Sequence, residues 1–168
     1  MYQFFINTAD NDAVKFLKLF TFLPKQEIEA IEAKFAEAPH ERLAQKTLAY
    51  EVVKLIHGED AINQAIRITE ALFSGNISEL SSDEIAVGFK DVPSTSLSED
   101  LLLIDVLAAT GAASSKREAR EFISNNSISI NGQKQADLEF VVKKDDAIGG
   151  EFTVIRRGKK KYFLVKHT

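Results

Sequence analysis

The sequence predicts an α-helical domain followed by a small α+β domain, and a change of pattern along the chain leads to this prediction. Through residues 1–90, apolar side chains recur every three or four positions, which is the spacing of one face of an α-helix. Within residues 99–168 the spacing falls toward two, as expected where side chains alternate across a β-strand. Residues 91–98 contain Pro93 and three serines, and they predict a linker between the two domains.

Four apolar stripes predict four helices in the first domain. Gly58 follows the third stripe and Gly75 follows the fourth, and glycine is the residue that most often ends a helix. Ser81 and Glu84 have the spacing of a capping box, which predicts one more short helix. The stripes are Val14, Leu17 and Phe20; Ile28, Ile31 and Phe35; Leu43, Leu48, Val52, Leu55 and Ile56; and Ile62, Ala65, Ile66, Thr69 and Phe73.

The second domain is predicted to contain two helices packed on a short β-sheet. A leucine-rich helix ends at Gly111, and Ser115 with Glu118 forms a second capping box that opens the next helix. Asn131-Gly132 predicts a two-residue hairpin turn, because both residue types tolerate a positive φ. The segments predicted to be strands are 127–130, 140–142, 152–155 and 162–165.

The composition excludes several classes of protein. The chain has 168 residues, 45% of them hydrophobic and 27% charged, which is ordinary for a folded domain. It has no cysteine, and its three histidines lack metal-ligand spacing, so neither a disulfide framework nor a metal site is expected. No apolar run approaches the ~20 residues of a membrane span, and residues 1–6 lack the basic start of a signal peptide. We expect a cytoplasmic protein that does not enter a membrane.

Charge is distributed unevenly, although the net charge is only −4. Residues 1–98 carry nine Lys and Arg against 15 Asp and Glu, whereas residues 99–168 carry 12 against ten. Five cations crowd the predicted turn at Gly158, where they repel each other, and a polyanion relieves that repulsion while releasing its own counterions. We therefore expect this turn to bind nucleic acid; the alternative is a solvated hairpin whose lysines prevent edge-to-edge aggregation. The five are Arg156, Arg157, Lys159, Lys160 and Lys161.

Two aromatic residues, Tyr162 and Phe163, follow these lysines. Aromatic rings can stack on unpaired bases, which would add to binding. Because neighbours in a strand point to opposite faces, we expect at least one of the two rings to lie in the core instead.

A second basic segment opens the helix predicted after Ser115. Lys116, Arg117 and Arg120 fall in its first turns, and at ~100° per residue the two arginines lie on one side of the helix. The free backbone N–H groups at a helix start favour a phosphate, although cations there oppose the macrodipole. We interpret the three residues as nucleic-acid contacts; exposed arginines with no binding role are an equally weighted alternative for this segment alone.

Residues 102–144 resemble the small RNA-binding module first named from a ribosomal small-subunit protein, called here the S-four-like module. Its pattern is a leucine helix ending in glycine, a Ser-Lys/Arg-x-x-Ala-Arg segment, an apolar pair, and a strand ending in Val/Ile-Asn-Gly. Asn126 stands where the family often has glycine, but asparagine also tolerates a left-handed conformation. The matching residues are Val106-Leu107, Gly111, Ser115-Lys116-Arg117-Glu118-Ala119-Arg120, Ile123 and Ile130-Asn131-Gly132.

Six segments distributed over the chain carry a second resemblance: Tyr2-Gln3-Phe4-Phe5-Ile6-Asn7-Thr8, Phe20-Thr21-Phe22-Leu23, His57-Gly58, Glu70-Ala71-Leu72-Phe73-Ser74-Gly75, Gly88-Phe89-Lys90-Asp91-Val92-Pro93 and residues 156–162. With these segments, the chain as a whole resembles the C-terminal half of bacterial tyrosyl-tRNA synthetases. The resemblance implies that residues 1–90 bind the anticodon arm of tyrosine tRNA and that residues 99–168 contact its long variable arm and anticodon stem. It also implies RNA contacts at Arg117, Arg120, Arg156, Arg157, Lys159 and Lys160.

The same resemblance implies what this chain does not do. The family's nucleotide-binding domain carries HIGH-like and KMSKS-like motifs, and no segment here corresponds to it. We therefore expect no catalytic residue and no cofactor in this chain, since ATP and tyrosine would bind that other domain of the ligase. The full-length parent is expected to be a homodimer and this fragment a monomer.

Acidic residues of the first domain have two interpretations. Asp10 and Asp12 either cap the first helix, which is the favoured interpretation, or accept a hydrogen bond from an anticodon base. Other acids form a solvated face that would repel phosphates and should point away from RNA. They are Glu27, Glu29, Glu32, Glu37 and Glu41.

Two alternatives to a tyrosine-tRNA-binding protein stay open. One is a free-standing S-four-like protein that binds ribosomal RNA, which would have no need of the synthetase-like residues 1–90. The other is a protein-interaction module with no RNA partner, which predicts little salt dependence of any RNA binding.

Overall fold

The computed structural model describes residues 1–168 and forms two compact units, Met1–Ile66 and Arg67–Thr168. The order of elements confirms the predicted fold class, helices first and then helices with a small sheet. No helix is both long enough and apolar enough to cross a lipid bilayer.

The first unit is built from helices. Its core joins the apolar faces of the second, third and fourth helices, and Ala13, Leu17, Ala44 and Leu48 at its centre have no exposed surface. The fourth helix ends at His57, and Gly58 follows it with a φ of 87°, which confirms the predicted glycine stop. The helices are α1 (Tyr2–Ile6), α2 (Asp10–Phe20), α3 (Lys25–Glu37), α4 (Leu43–His57) and α5 (Glu59–Ser74), with a 3-10 turn at Pro39–Glu41.

The second unit contains a five-stranded sheet and three further helices. It takes the last part of α5, from Arg67 onward, and adds 3-10 turns at Ile77–Glu79 and Lys144–Asp146. The helices are α6 (Ser82–Gly88), α7 (Leu103–Ala109) and α8 (Lys116–Ser124). The strands are β1 (Ser94–Leu97), β2 (Leu101–Leu102), β3 (Ile128–Ile130), β4 (Gln133–Gln135), β5 (Val141–Val142), β6 (Phe152–Arg157) and β7 (Lys161–His167).

The main sheet has the order β1-β7-β6-β3-β4, and β2 pairs separately with β5. The predicted terminal hairpin is confirmed as β6 and β7, which pair from Phe152↔Lys166 to Arg157↔Lys161. The predicted Asn131-Gly132 turn is also confirmed, with φ values of 48° and 92° between β3 and β4. Each hairpin is set by local turn residues, which is why the sequence could predict it.

Both faces of the sheet are covered. One face packs against α7 and α8, as predicted, through Ile155 and Phe163. The other face packs through Val154 and Leu164 against the end of α5, the following 3-10 turn and α6. Residues 67–90 therefore belong to the compact unit of the sheet, whereas the sequence assigned them to the helical domain. Consecutive apolar residues in β6 and β7 are the pattern of strands buried on both sides.

The residues predicted to form a linker, 91–98, are paired into the sheet. Ser94–Leu97 is a strand parallel to β7, with Ser94 opposite Leu164. Its pairing is extended at both ends, because the Leu164 N–H donates to the Pro93 carbonyl at 3.0 Å and the Thr168 N–H to the Leu97 carbonyl at 2.9 Å. Sequence patterns do not reveal this pairing, since the partner strand lies about 70 residues away and the segment has little apolar patterning.

The tip of the β3–β4 hairpin is packed closely. A Cβ placed on Gly132 would lie 2.0 Å from the Gly75 carbonyl oxygen, so no larger residue fits. Asn131 adds two hydrogen bonds: its Oδ1 accepts from the Val154 N–H at 2.9 Å and its Nδ2 donates to the Asp146 carbonyl at 3.2 Å. The turn is thereby fixed within the second unit.

Candidate nucleic-acid interface

The N-terminus of α8 is organised by a serine pair. The Ser115 hydroxyl accepts from the Glu118 N–H at 3.2 Å, as predicted. The Glu118 carboxylate, however, turns to Ser114, which donates from its N–H at 2.5 Å and its hydroxyl at 2.6 Å. These two bonds, with a smaller contribution from the Arg157 cation, lower the pKa of Glu118 below its usual value of 4.5. The first turn of α8 is therefore held by a network that reaches one residue beyond the predicted capping box.

The three predicted contacts on α8 differ in availability. The Lys116 ammonium is paired with Asp105 of α7 at 2.5 Å, so part of its charge is neutralised. Arg117 and Arg120 are exposed and form no ion pair. Because both side chains are exposed, their guanidinium groups are open to an anion.

Arg157 is engaged inside the second unit. Its guanidinium donates to the Ala112 carbonyl in the α7–α8 connection. It also lies over the Phe122 ring at 5.0 Å and the Phe163 ring at 5.9 Å. These contacts tie the end of β6 to α8, a stabilising arrangement that leaves the side chain only half-exposed.

Arg156 lies on the opposite face of the sheet. It pairs in register with Ser129 on one side and Tyr162 on the other. The Nε of Arg156 and the Oγ of Ser129 are both buried without a hydrogen-bond partner. The two adjacent arginines therefore do not form one surface, although the sequence grouped them, because successive strand residues face opposite sides.

The two aromatic residues after the lysines are both packed. Phe163 is buried among the residues that face α7 and α8, and Tyr162 makes an edge contact with the Phe89 ring at a centroid distance of 5.5 Å. The prediction that they point to opposite faces is confirmed. Phe163 is therefore unavailable to stack on a base, whereas Tyr162 is partly exposed beside Phe89.

The turn itself carries the accessible charge. Lys159, Lys160 and Lys161 are all exposed and form no ion pair, and Gly158 between the strands has a φ of 63°. Together with Arg117 and Arg120, they are the five sequence-predicted contacts that are exposed and form no ion pair. These five are called the free cations below.

Comparison with known proteins identifies the family of this chain. Residues 84–165 match the model of the tyrosine–tRNA ligase SYY-like C-terminal domain, and residues 1–74 match the model of class I tRNA synthetases (W and Y). A solution structure of a tyrosyl-tRNA synthetase C-terminal domain is 42% identical, and the match covers 95% of that domain and 55% of this chain, with a TM-score of 0.48. The chain belongs to the tyrosyl-tRNA synthetase family.

Two larger synthetases of fungal mitochondria also match. A C-terminally truncated enzyme from Aspergillus nidulans is 46% identical over 39% of this chain, with a TM-score of 0.37. The corresponding enzyme from Coccidioides posadasii is 42% identical over 39%, with a TM-score of 0.38. This chain spans only 20% and 18% of their lengths, so it corresponds to a limited part of those synthetases.

In this synthetase-family chain, the two acidic residues of the helical unit do not cap α2. The cap position is Ala9, and no side chain bonds to the helix start. Asp10 instead accepts from the Gln45 amide at 2.7 Å, and Asp12 pairs with Lys15 at 3.3 Å. The capping prediction is wrong because the helix begins one residue earlier than the aspartate spacing required.

Arg42 makes contacts in the helical unit that no local sequence pattern indicates. Arg42 has a φ of 56° and donates to the Ile6 carbonyl at 2.8 Å and the Thr8 carbonyl at 3.2 Å. Only the folded chain brings these residues together, since they are more than 30 positions apart. Arg42 is thus a structural cation that fixes the α1–α2 connection.

The synthetase-family chain shows no cluster of three or more His, Cys, Asp or Glu side chains that could hold a metal. His167 instead bonds through Nε2 to the Thr153 hydroxyl at 2.9 Å. Burial, helped by the charge of Lys144, lowers the pKa of His167 below its usual value. This histidine therefore stays neutral to lower pH than an exposed one.

Proposed function

We propose that this chain is the tRNA-binding C-terminal part of a cytoplasmic tyrosine–tRNA ligase. The observation that carries the proposal is the set of five free cations in a unit that matches the C-terminal domain model, within a chain whose net charge is −4. In the free protein, exposed cations without acidic partners contribute little favourable free energy. Their contribution becomes substantial when phosphates replace their counterions.

Within this proposal the two parts of the chain have different tasks. The free cations hold the backbone of the long variable arm of tyrosine tRNA, and the helical residues bind its anticodon arm, with Asp10 and Asp12 near an anticodon base. Phosphate contacts position an RNA, while shape and base contacts select it. Lys116 and Arg156 contribute less, because the first is paired with Asp105 and the second has a buried Nε.

Aminoacylation itself is proposed to reside outside the matched residues. The small share of the two fungal synthetases that this chain spans, 20% and 18%, supports this division. When the chain alone is incubated with ATP, tyrosine and radiolabelled pyrophosphate, no label should be incorporated into ATP. A full-length ligase should incorporate it. Exchange by the purified chain would overturn this part of the proposal. The chain is also expected to be a monomer in analytical ultracentrifugation.

The ribosomal-RNA alternative is disfavoured by one finding. Residues 1–74 match a class I synthetase model, and a free-standing ribosomal-RNA-binding protein has no use for such a segment. The protein-interaction alternative makes the opposite prediction about salt, because a surface that does not bind RNA releases no phosphate counterions.

The test is competition binding with three RNAs at several salt concentrations. Tyrosine tRNA should bind more tightly than a tRNA with a short variable arm and more tightly than a ribosomal RNA fragment. The affinity should fall steeply with salt. Equal affinity for all three RNAs would contradict the tyrosine-specific proposal, and binding that ignores salt would contradict RNA binding by the free cations.

A further inference from the structure

A cleft of about 370 Å³ lies beside the β3–β4 hairpin, within the second unit. Two apolar residues line it, Ile130 and Phe140, which are both only partly buried. The polar part of the lining includes Gln133, Lys134, Gln135 and Asp146. The size falls within the range of about 300–1,000 Å³ that small-ligand sites occupy in proteins.

The hydrogen-bonding groups of this polar lining are only partly used. The Gln133 side chain is exposed and makes no hydrogen bond in the structure. Gln135 accepts at Oε1 from the Asp137 N–H at 2.9 Å, which leaves its NH₂ group as a free donor. The Gln135 side chain is thereby held in place. The lining of the cleft therefore combines unused hydrogen-bonding groups with apolar side chains.

The charge around the cleft does not favour a phosphate. Its one cation, Lys134, already donates to the Asn126 carbonyl at 2.5 Å. Asp146 lines the same cleft and would repel an anion. A flat, neutral ligand with hydrogen-bonding edges suits this arrangement better. Its face could contact Phe140 and Ile130, and its edges could bond to the polar side chains of the lining.

We propose that the cleft binds one unpaired nucleobase of the RNA, with adenine preferred. This proposal rests on the RNA-binding function proposed above and assigns it a base-reading site apart from the free cations. RNA sequence is read mainly on unstacked bases, through aromatic contact and hydrogen bonds to base edges. A glutamine carboxamide offers adenine a paired donor and acceptor, and the Asp146 carboxylate can accept from an exocyclic amine.

Nuclear magnetic resonance titration of the full chain tests the cleft directly. The probes are 5′-AMP, the other three mononucleotides and ribose 5-phosphate. We expect 5′-AMP to shift the side-chain amide signals of Gln133 and Gln135 and the ring signals of Phe140, with smaller shifts from the other bases. Ribose 5-phosphate should leave these signals unchanged. Equal shifts from ribose 5-phosphate, or none from any nucleotide, would overturn the proposal.

Binding of the whole tRNA to variants of the cleft tests the same proposal. Gln133→Ala removes an exposed side chain that supports no contact, so the fold should persist, and tyrosine tRNA should bind about tenfold more weakly. The salt dependence should be unchanged, because every phosphate-binding cation is retained. Gln26→Ala, an exposed glutamine on α3, is the matched control and should have no effect.

The outcomes separate this proposal from the one on which it rests. If the chain binds tyrosine tRNA with a steep salt slope and Gln133→Ala and Phe140→Leu both leave the affinity unchanged, the base site is wrong and the RNA-binding function stands. If the unaltered chain does not bind tRNA, the function fails first. A loss of affinity in both variants with the salt slope preserved supports the base site.

Discussion

Arg156 and Arg157 lie just before the turn lysines 159–161, yet the two groups of cations are placed very differently. Arg157 is stacked on two rings and bonded to a carbonyl, and Arg156 has a buried Nε on the other face of the sheet. The three lysines are exposed and unpaired. A cationic run in a sequence thus combines side chains that build the fold with side chains that remain free to bind, and strand geometry separates the two.

The largest expected effect concerns binding by the lysines. Replacing Lys159, Lys160 and Lys161 together by alanine should weaken tyrosine-tRNA binding on the order of a hundredfold at moderate salt, if each holds one phosphate. The slope of log affinity against log salt should fall by about one for each phosphate that the variant no longer binds. Fluorescence anisotropy over a salt series measures both.

The matched control for this variant lies on the acidic helix α3. Lys25→Ala with Lys34→Ala also removes exposed cations, but beside several glutamates, and should leave the affinity and the slope unchanged. A similar loss of affinity in control and turn variants would show that only net charge matters.

The arginine half of the comparison predicts a loss of stability. Arg157→Ala removes a charge-assisted hydrogen bond and two ring contacts, and should lower the free energy of unfolding by about 2 kcal/mol. Arg157→Lys keeps the charge but not the planar stacking, so it should restore little. Urea titration measures both, with Lys160→Ala as a surface control expected to change stability by less than about 0.5 kcal/mol. An unchanged midpoint for Arg157→Ala would refute the structural role.

Arg156 sharpens the comparison further, because its stem is packed while its Nε lacks a partner. Arg156→Ala should cost about 1 kcal/mol, because the packing of the stem is removed. Arg156→Met keeps most of that stem and removes the buried unpaired donor, so it should be neutral or slightly stabilising. Chemical denaturation of the two variants decides, and equal destabilisation by both would mean that the guanidinium is bonded in solution.

The smallest effect is the dependence of stability on pH through Glu118. Its pKa is lowered in the folded chain, mainly by the Ser114 bonds, so the carboxylate stabilises the fold fully above its ordinary value of 4.5. The contribution is lost as the pH falls through the lowered folded value. The difference in melting temperature between the unaltered chain and Glu118→Gln should therefore be present at pH 7 and vanish in strong acid. In a Ser114→Ala background, Glu118→Gln should change the melting temperature less at neutral pH. A difference in melting temperature that stays the same at every pH would contradict this assignment.

The sequence predicted the elements that local rules determine. Helical stripes, the Ser81 and Ser115 caps and the Asn131-Gly132 turn depend on residues within a few positions of each other, and all are found. The pairing of β1 with β7, by contrast, joins segments about 70 residues apart. Local sequence patterns do not predict pairing between strands so far apart.

The candidate site was predictable to a similar extent. Residue type and spacing identified Arg117, Arg120 and the turn lysines as exposed cations, since solvated charge needs no partner. The internal role of Arg157 depends on Ala112, 45 residues earlier, and on rings that only the folded chain brings near. That both faces of the sheet are buried could have been predicted from the consecutive apolar pairs Val154-Ile155 and Phe163-Leu164. A strand with one solvated face would instead alternate apolar and polar residues.

The position of β7 has a consequence for how the protein forms during synthesis. This strand comes after every other strand in the sequence, yet it lies between β1 and β6 rather than at an edge. Until residues 161–167 emerge from the ribosome, β1 has no neighbour and β6 has an open side with apolar residues on both faces. The nascent second unit should therefore be vulnerable to proteases and chaperone capture until translation reaches those residues, while Met1–Ile66 contains its own core from the start.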